Sequence, residues 1–143
     1  MPALTKPRNT PQQAGHRRGY RVGANVRCLA GAIAVLTAGG FAVPATTATG
    51  LVALGRFAFD ADNTGGANGD QSVEVERGIF RYENSAGADE ITAADVGRRC
   101  YLVDDQTVAK TSATNTRSVA GFVDGVDELG VWVLLDPTSG AAA

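Results

Sequence analysis

Apolar residues in this chain come in short runs that stop at glycine or at a polar turn. Leu51–Asp60 is one such run. A strand there puts Ala53, Gly55, Phe57 and Phe59 on one side and Arg56, Ala58 and Asp60 on the other, the period-2 pattern of a half-buried antiparallel strand. Gln71–Tyr82 reads as a long strand whose apolar parity changes after Gly78, from Val73 and Val75 to Phe80 and Tyr82. A bulge at Gly78 accounts for that change, because one extra residue flips every later side chain. Gly39-Gly40 marks a hairpin turn into Phe41-Ala42-Val43, and Asp127-Glu128-Leu129-Gly130 joins Val119–Asp124 to Gly130–Leu135. Tyr20–Asn25, Cys28–Leu36, Arg99–Val103 and Thr107–Thr111 complete the strands. Thr92-Ala93-Ala94-Asp95 has the spacing of a helix N-terminal box, and Gly97 ends that helix within about two turns. About ten short strands and one short helix predict a mainly β fold: a small sandwich or barrel of antiparallel strands.

Eighteen glycines and few aromatics fit that architecture. At 143 residues the chain suits one domain with one core. Its charge is unevenly placed. Residues 1–27 carry Lys6, Arg8, Arg17, Arg18, Arg21 and Arg27 and no acid, whereas all 15 acidic residues lie beyond them. Pro2, Pro7 and Pro11 stiffen the same region and keep it extended. The sequence therefore divides into a basic N-terminal arm over 1–19, a β-rich body over 20–136 and a flexible tail over 137–143. A basic arm on an acidic body is suited to docking on something negative: nucleic acid, an acidic protein surface or the body of a neighbouring copy. Nucleic acid is the poorest of these, since the arm region holds one aromatic, Tyr20, and the body repels phosphate.

A second reading treats residues 17–48 as an export signal. Arginines precede an uncharged stretch from Cys28 to Gly55, and Val43-Pro44-Ala45-Thr46-Thr47-Ala48 offers small residues for cleavage. The Arg17-Arg18 pair invites a twin-arginine version. Against this, Gly31 and Gly39-Gly40 interrupt the stretch, and its apolar content is mostly alanine. This alternative describes an exported, small β-rich envelope or adhesion protein.

Few groups here lead a reaction. His16 is the single histidine and lies in the arm; Cys28 and Cys100 are far apart in sequence, and no nucleophile elbow, phosphate loop or dinucleotide fingerprint occurs. The two cysteines read as buried thiols, with one disulfide left open. Asp104-Asp105 and Asp127-Glu128 occur in turns, where aspartate bonds its own backbone. In the loop from Asp60, residues Asp60, Asp62 and Thr64 alternate and Gly65 is sixth, as in a calcium loop. Position twelve is Gln71 rather than glutamate, which favours a plain hairpin loop. The expectation is a protein that is not an enzyme and has no cofactor, no metal, no small-molecule substrate and no membrane span.

Several segments, taken in order, carry a resemblance. They are Met1-Pro2-Ala3-Leu4-Thr5 with Arg8-Asn9-Thr10-Pro11, Ala48-Thr49-Gly50-Leu51 leading to Gly55-Arg56, and Asp62-Asn63-Thr64-Gly65-Gly66. Val73-Glu74-Val75, Arg77-Gly78-Ile79-Phe80, Asn84-Ser85, Val96-Gly97 to Cys100-Tyr101, Val103 to Val108 and Gly130-Val131-Trp132-Val133 continue the series. Over nearly its whole length the chain resembles the capsid decoration, or cement, proteins of tailed bacteriophages. Gln12–Arg27 fits that family least. The resemblance implies a β-rich knob, often a homotrimer, that binds the major capsid protein on the outside of the head and locks neighbouring capsomers. It implies assembly in the host cytoplasm and residence on the virion surface. On this reading Lys6, Arg8, Arg17, Arg18 and Arg21 are candidates for contact with the shell or an adjacent copy. Val131, Trp132 and Val133 are candidates for oligomer packing, beside the plainer reading of a core strand.

Overall fold

The computed structural model of the chain describes residues 2–13 and 15–138. Met1, Ala14 and, of the expected tail, residues 139–143 lie outside the described residues. Twelve strands are present among the described residues: β1 (Arg17–Arg21), β2 (Arg27–Cys28), β3 (Ile33–Leu36), β4 (Ala42–Pro44), β5 (Val52–Phe57), β6 (Ala61–Asp62), β7 (Ser72–Glu76), β8 (Gly78–Asn84), β9 (Arg99–Leu102), β10 (Thr107–Ala109), β11 (Val119–Asp127) and β12 (Gly130–Leu135). The fold is mainly β, as the alternating runs predict. It has two parts. The first is a five-stranded antiparallel sheet in the order β1-β7-β5-β3-β4, with the small pair β2-β6 beside it. A single parallel bridge, Val22 to Ala42, draws its two edges together. The second is a closed barrel, β10-β8-β12-β11-β9, in which only the β8–β10 pairing is parallel. Closure leaves the barrel without an open edge.

Two cores result. Val22, Cys28, Ala34, Ala42, Leu54, Phe57, Val73 and Val75 fill the first sheet. The second core holds Tyr82, Ile91, Cys100, Leu102, Val108, Ala120, Val123, Val131, Val133 and Leu135, joined by Ile33, Val35 and Ala53 from the first sheet and by Ala45 just past β4. β3 and β5 are therefore a shared wall. Ile33, Ala34 and Val35 are all fully buried because successive side chains enter different cores. The hydroxyl of Tyr82 ties the halves further by donating to the Gly31 carbonyl at 2.7 Å.

Several sequence expectations change in detail. The run over Leu51–Asp60 does not alternate simply. The register of β5 on β3 slips between Ala53 and Gly55, so Ala53 faces one core while Leu54 and Phe57 face the other, and Phe59 is exposed. Gly55 is required there, since a Cβ would lie 2.0 Å from the Glu76 carbonyl oxygen of β7. The long strand over Gln71–Tyr82 is two strands in different sheets. The N–H of Arg77 donates to the His16 carbonyl at 2.7 Å, and the chain then crosses into the barrel at Gly78. The parity change was real; its cause is a change of sheet, not a bulge. Cys28–Leu36 is likewise split, by a turn that the Ala32 N–H closes on the Leu29 carbonyl at 3.1 Å. The hairpin at Gly39-Gly40 stands as expected, with Thr37 N–H on the Phe41 carbonyl at 2.9 Å. Thr92–Asp95 forms the capping box, but as a single 3-10 turn over Ala93–Asp95.

Candidate functional site

The arm is the part of the chain least committed to the fold. Residues 2–13 are exposed at every position and form no strand. Lys6 and Arg8 lie on it. The other three candidate cations do not share that freedom. The expected arm boundary at residue 19 runs through β1, whose Arg17, Arg18 and Arg21 pair in register with Glu76, Val75 and Ser72 of β7. Arg17 reaches Glu74 and Glu76, each at 3.2 Å, and Arg56 reaches Glu76 at 3.5 Å. The Arg17 guanidinium also stands over the Phe59 ring, 5.6 Å from its centre. Hydrogen bonding to Arg17, then the charges of Arg17 and Arg56, hold the Glu76 carboxyl below its usual range. Arg18 donates to the Arg17 carbonyl at 2.9 Å, and Arg21 is exposed with its guanidinium beside Gly69. Opposite charges facing each other across two strands stabilise the pairing modestly. The sequence shows the cations but not their cross-strand acids, which come from residues more than fifty positions away.

The oligomer candidates separate by strand parity. Val131 and Val133 are fully buried in the barrel core, so they are corrected from packing candidates to core residues. Trp132 points outward and is 36% exposed. Its indole N–H donates to Asp127 at 2.8 Å, and Arg81 lies over its ring at 5.4 Å. On the same outer face, Ile79 pairs with Leu134, and Leu134 with Phe122. Nothing in the sequence marks Ile79, which is 46% exposed, because the mixed pattern of β8 disguises it.

The carboxylates are engaged locally. Asp104 accepts the Gln106 N–H at 2.9 Å. Asp127 accepts the N–H groups of Leu129 and Gly130 at 2.8 and 3.1 Å, and the Trp132 bond together with these lowers its pKa. In the loop weighed as a calcium site, Asp60 accepts from Ala30 N–H at 2.8 Å, Asp70 from Ala67 N–H at 2.9 Å, and Asp62 from the hydroxyl and N–H of Thr64. Asn63 is buried, and its amide donates to the Gly23 and Ala67 carbonyls at 2.7 and 3.0 Å. The loop between the paired strands β5 and β7 is thus packed, with its carboxylate oxygens taken up by N–H and hydroxyl donors of the chain. Among the described residues no group of three or more His, Cys, Asp or Glu side chains could hold a metal ion. Cys28 and Cys100 are free and buried in separate cores, and burial pushes their thiols up to about 11 and about 12. His16 is exposed, and its carbonyl holds the sheet crossing at Arg77.

No helix among the described residues is long and apolar enough to cross a membrane. Compared with protein-family models, curated proteins and solved structures, the chain finds no match in any of the three.

Proposed function

We propose that this chain is a structural head protein of a tailed bacteriophage, which binds the outside of the capsid and cements neighbouring capsomers. The observation that carries the reading is the arm. It is a proline-bearing segment of twelve exposed residues that forms no strand and carries Lys6 and Arg8, set on a β body with two cores. Such a segment adds backbone and charge contacts to a neighbouring surface without disturbing the body that bears it. The segment-by-segment resemblance to capsid decoration proteins points the same way. Because a shell holds many copies, modest binding per copy still reinforces the lattice in sum. The reading needs no reaction and no cofactor; the major capsid protein and other copies of this chain, as a homotrimer, are its partners.

The export alternative meets a physical obstacle. Residues 17–48 form β1 to β4 and supply Val22, Cys28, Ile33, Ala34, Val35 and Ala42 to the two cores. Cleavage near residue 48 removes three of the five strands of the first sheet and part of both cores.

The arm is tested by deletion of residues 2–13, which stops short of β1. The truncated protein is expected to keep its melting behaviour and to lose occupancy on purified heads. Undiminished occupancy would show that the arm has no part in binding.

A further inference from the structure

We propose that a cleft between the first sheet and the barrel binds a sugar acid, a hydroxyl-bearing ring with a carboxylate. This goes beyond the head reading and does not rest on it. The cleft, about 440 Å³, has the size of a small-molecule site. Thr49 and Leu51, between β4 and β5, line one side. Arg99 and Tyr101 of β9 line the other, with Asn115 and Arg117 from the segment between β10 and β11.

The cleft is held open by bonds in its walls. Buried Ser118 ties the two sides together: its hydroxyl donates to the Ala48 carbonyl at 2.7 Å and accepts the Leu51 N–H at 3.1 Å. Ala113, Thr114 and Asn115 stand one after another in the left-handed region, at φ 49°, 60° and 61°. A side chain makes that conformation costly at each of them. Such strain persists where surrounding bonds enforce it, and it concentrates at ligand sites. Here the N–H groups of Asn115, Thr116 and Arg117 all donate to Ser112, at 3.1, 2.9 and 3.2 Å. Arg117 Nη1 donates to the Thr111 carbonyl at 3.0 Å and to Asp89 at 3.2 Å. The turn is therefore fixed, and it fixes Asn115 and Arg117 in the lining.

The chemistry of the lining selects the ligand. All 15 acidic residues lie beyond the basic N-terminal region, yet among the described residues no Asp or Glu lines this cleft, whereas two arginines do. Guanidinium groups match a carboxylate in geometry as well as charge. Cys100 and Leu102 of β9 are buried in the barrel, so Arg99 and Tyr101 share its outer face. Tyr101 is half-buried there and offers an aromatic surface to a ring. Exposed Thr49 and Asn115 bring a hydroxyl and an amide, which bond the hydroxyls of a sugar. A peptide strand fits poorly, because β9 is paired on both sides, by β10 and β11, and has no free edge to extend.

Galacturonate titrated into the purified full chain, followed by amide NMR shifts, tests this without heads. One saturable site is expected, with shifts centred on Arg99, Tyr101 and Asn115 and a Kd of about 1 mM or below. Galactose and acetate each carry half of the chemistry and bind about tenfold more weakly or worse. Arg99→Gln and Asn115→Gly each weaken galacturonate binding by about fivefold or more. Glycine keeps the left-handed backbone at 115, and melting temperatures confirm that each variant folds. Lys110→Gln, beside Arg99 in the neighbouring cleft but outside this lining, leaves binding unchanged. A galacturonate trimer distinguishes the source: binding at least as tight as the monomer assigns a polysaccharide, and exclusion assigns the free sugar acid. No saturable shift with galacturonate overturns the inference. Acetate or galactose binding as tightly as galacturonate overturns it too, and so does an equal loss in Lys110→Gln, since surface charge and not the cleft then holds the ligand.

Discussion

Replacing Asn63 with alanine tests how the first sheet holds its long loop. The side chain is 3% exposed and its amide donates two hydrogen bonds, to Gly23 at 2.7 Å and Ala67 at 3.0 Å. Alanine removes both donors. The Ala67 carbonyl lies near solvent and recovers a water, at a loss of about 0.5–1 kcal/mol. The Gly23 carbonyl is buried and is left without this donor, which costs about 1–3 kcal/mol. The sum is about 1.5–4 kcal/mol. With an unfolding entropy of about 2.1 cal/mol/K per residue over the folded body, this lowers Tm by roughly 10 °C. Calorimetry at neutral pH reads it directly. Asn63→Asp discriminates further: at pH 7 its carboxylate faces two carbonyl oxygens, so the loss exceeds that of alanine, and it shrinks near pH 4 as the acid gains a proton to donate. If both variants melt within a degree or so of the parent, the loop is not anchored through Asn63 and the reasoning fails.

Further outcomes follow from the same structure. Val131→Ala opens a cavity in the barrel and costs about 2–3 kcal/mol in urea unfolding, whereas Trp132→Ala on the outer face costs about 1 kcal/mol or less; equal losses would contradict the assignment of the two faces. The two thiols are expected to resist alkylation in the native protein at pH 8 and to react fully once it is unfolded, because burial keeps both protonated; fast native labelling would show the cores to be open. The carboxyls of Asp62, Glu76, Asp89, Asp95 and Asp127 are all shifted downward by their hydrogen bonds and cations. A lowered folded value adds stability above the unfolded pKa, near 4, and that stability is lost as pH falls through the folded values. Melting temperature should therefore hold steady from pH 7 to about 5 and drop below about 4; a flat profile to pH 3 would contradict these pairings.

Local chemistry was legible where a few adjacent residues decide the outcome. Gly39-Gly40 turns a hairpin, Asp127 to Gly130 turns another, and Thr92 with Asp95 closes a capping box. The β class itself followed from the short alternating runs. What escaped was set by distant partners. Arg17-Arg18-Gly19 has no apolar alternation to announce a strand; β1 exists because Glu74 and Glu76 face it across the sheet. β3 reads as an undivided apolar run because it separates two cores, a fact that resides in residues from Val73 to Leu135, far downstream of it. The same limit applies to the candidate site. Five cations look equivalent in sequence, yet three belong to a paired strand. In Gly130–Leu135 the alternation already separates Val131 and Val133 from Trp132; because both faces are apolar in sequence, only the folded barrel shows that the valines go inward and Trp132 outward.

The central claim is that this polypeptide is a stoichiometric part of a phage head. The direct measurement is its copy number, relative to the major shell protein, in purified native particles. The expected result is a fixed ratio that reflects the lattice symmetry, with residues 2–13 still attached. Particles that lack the chain, or that hold it only in variable traces, would contradict it.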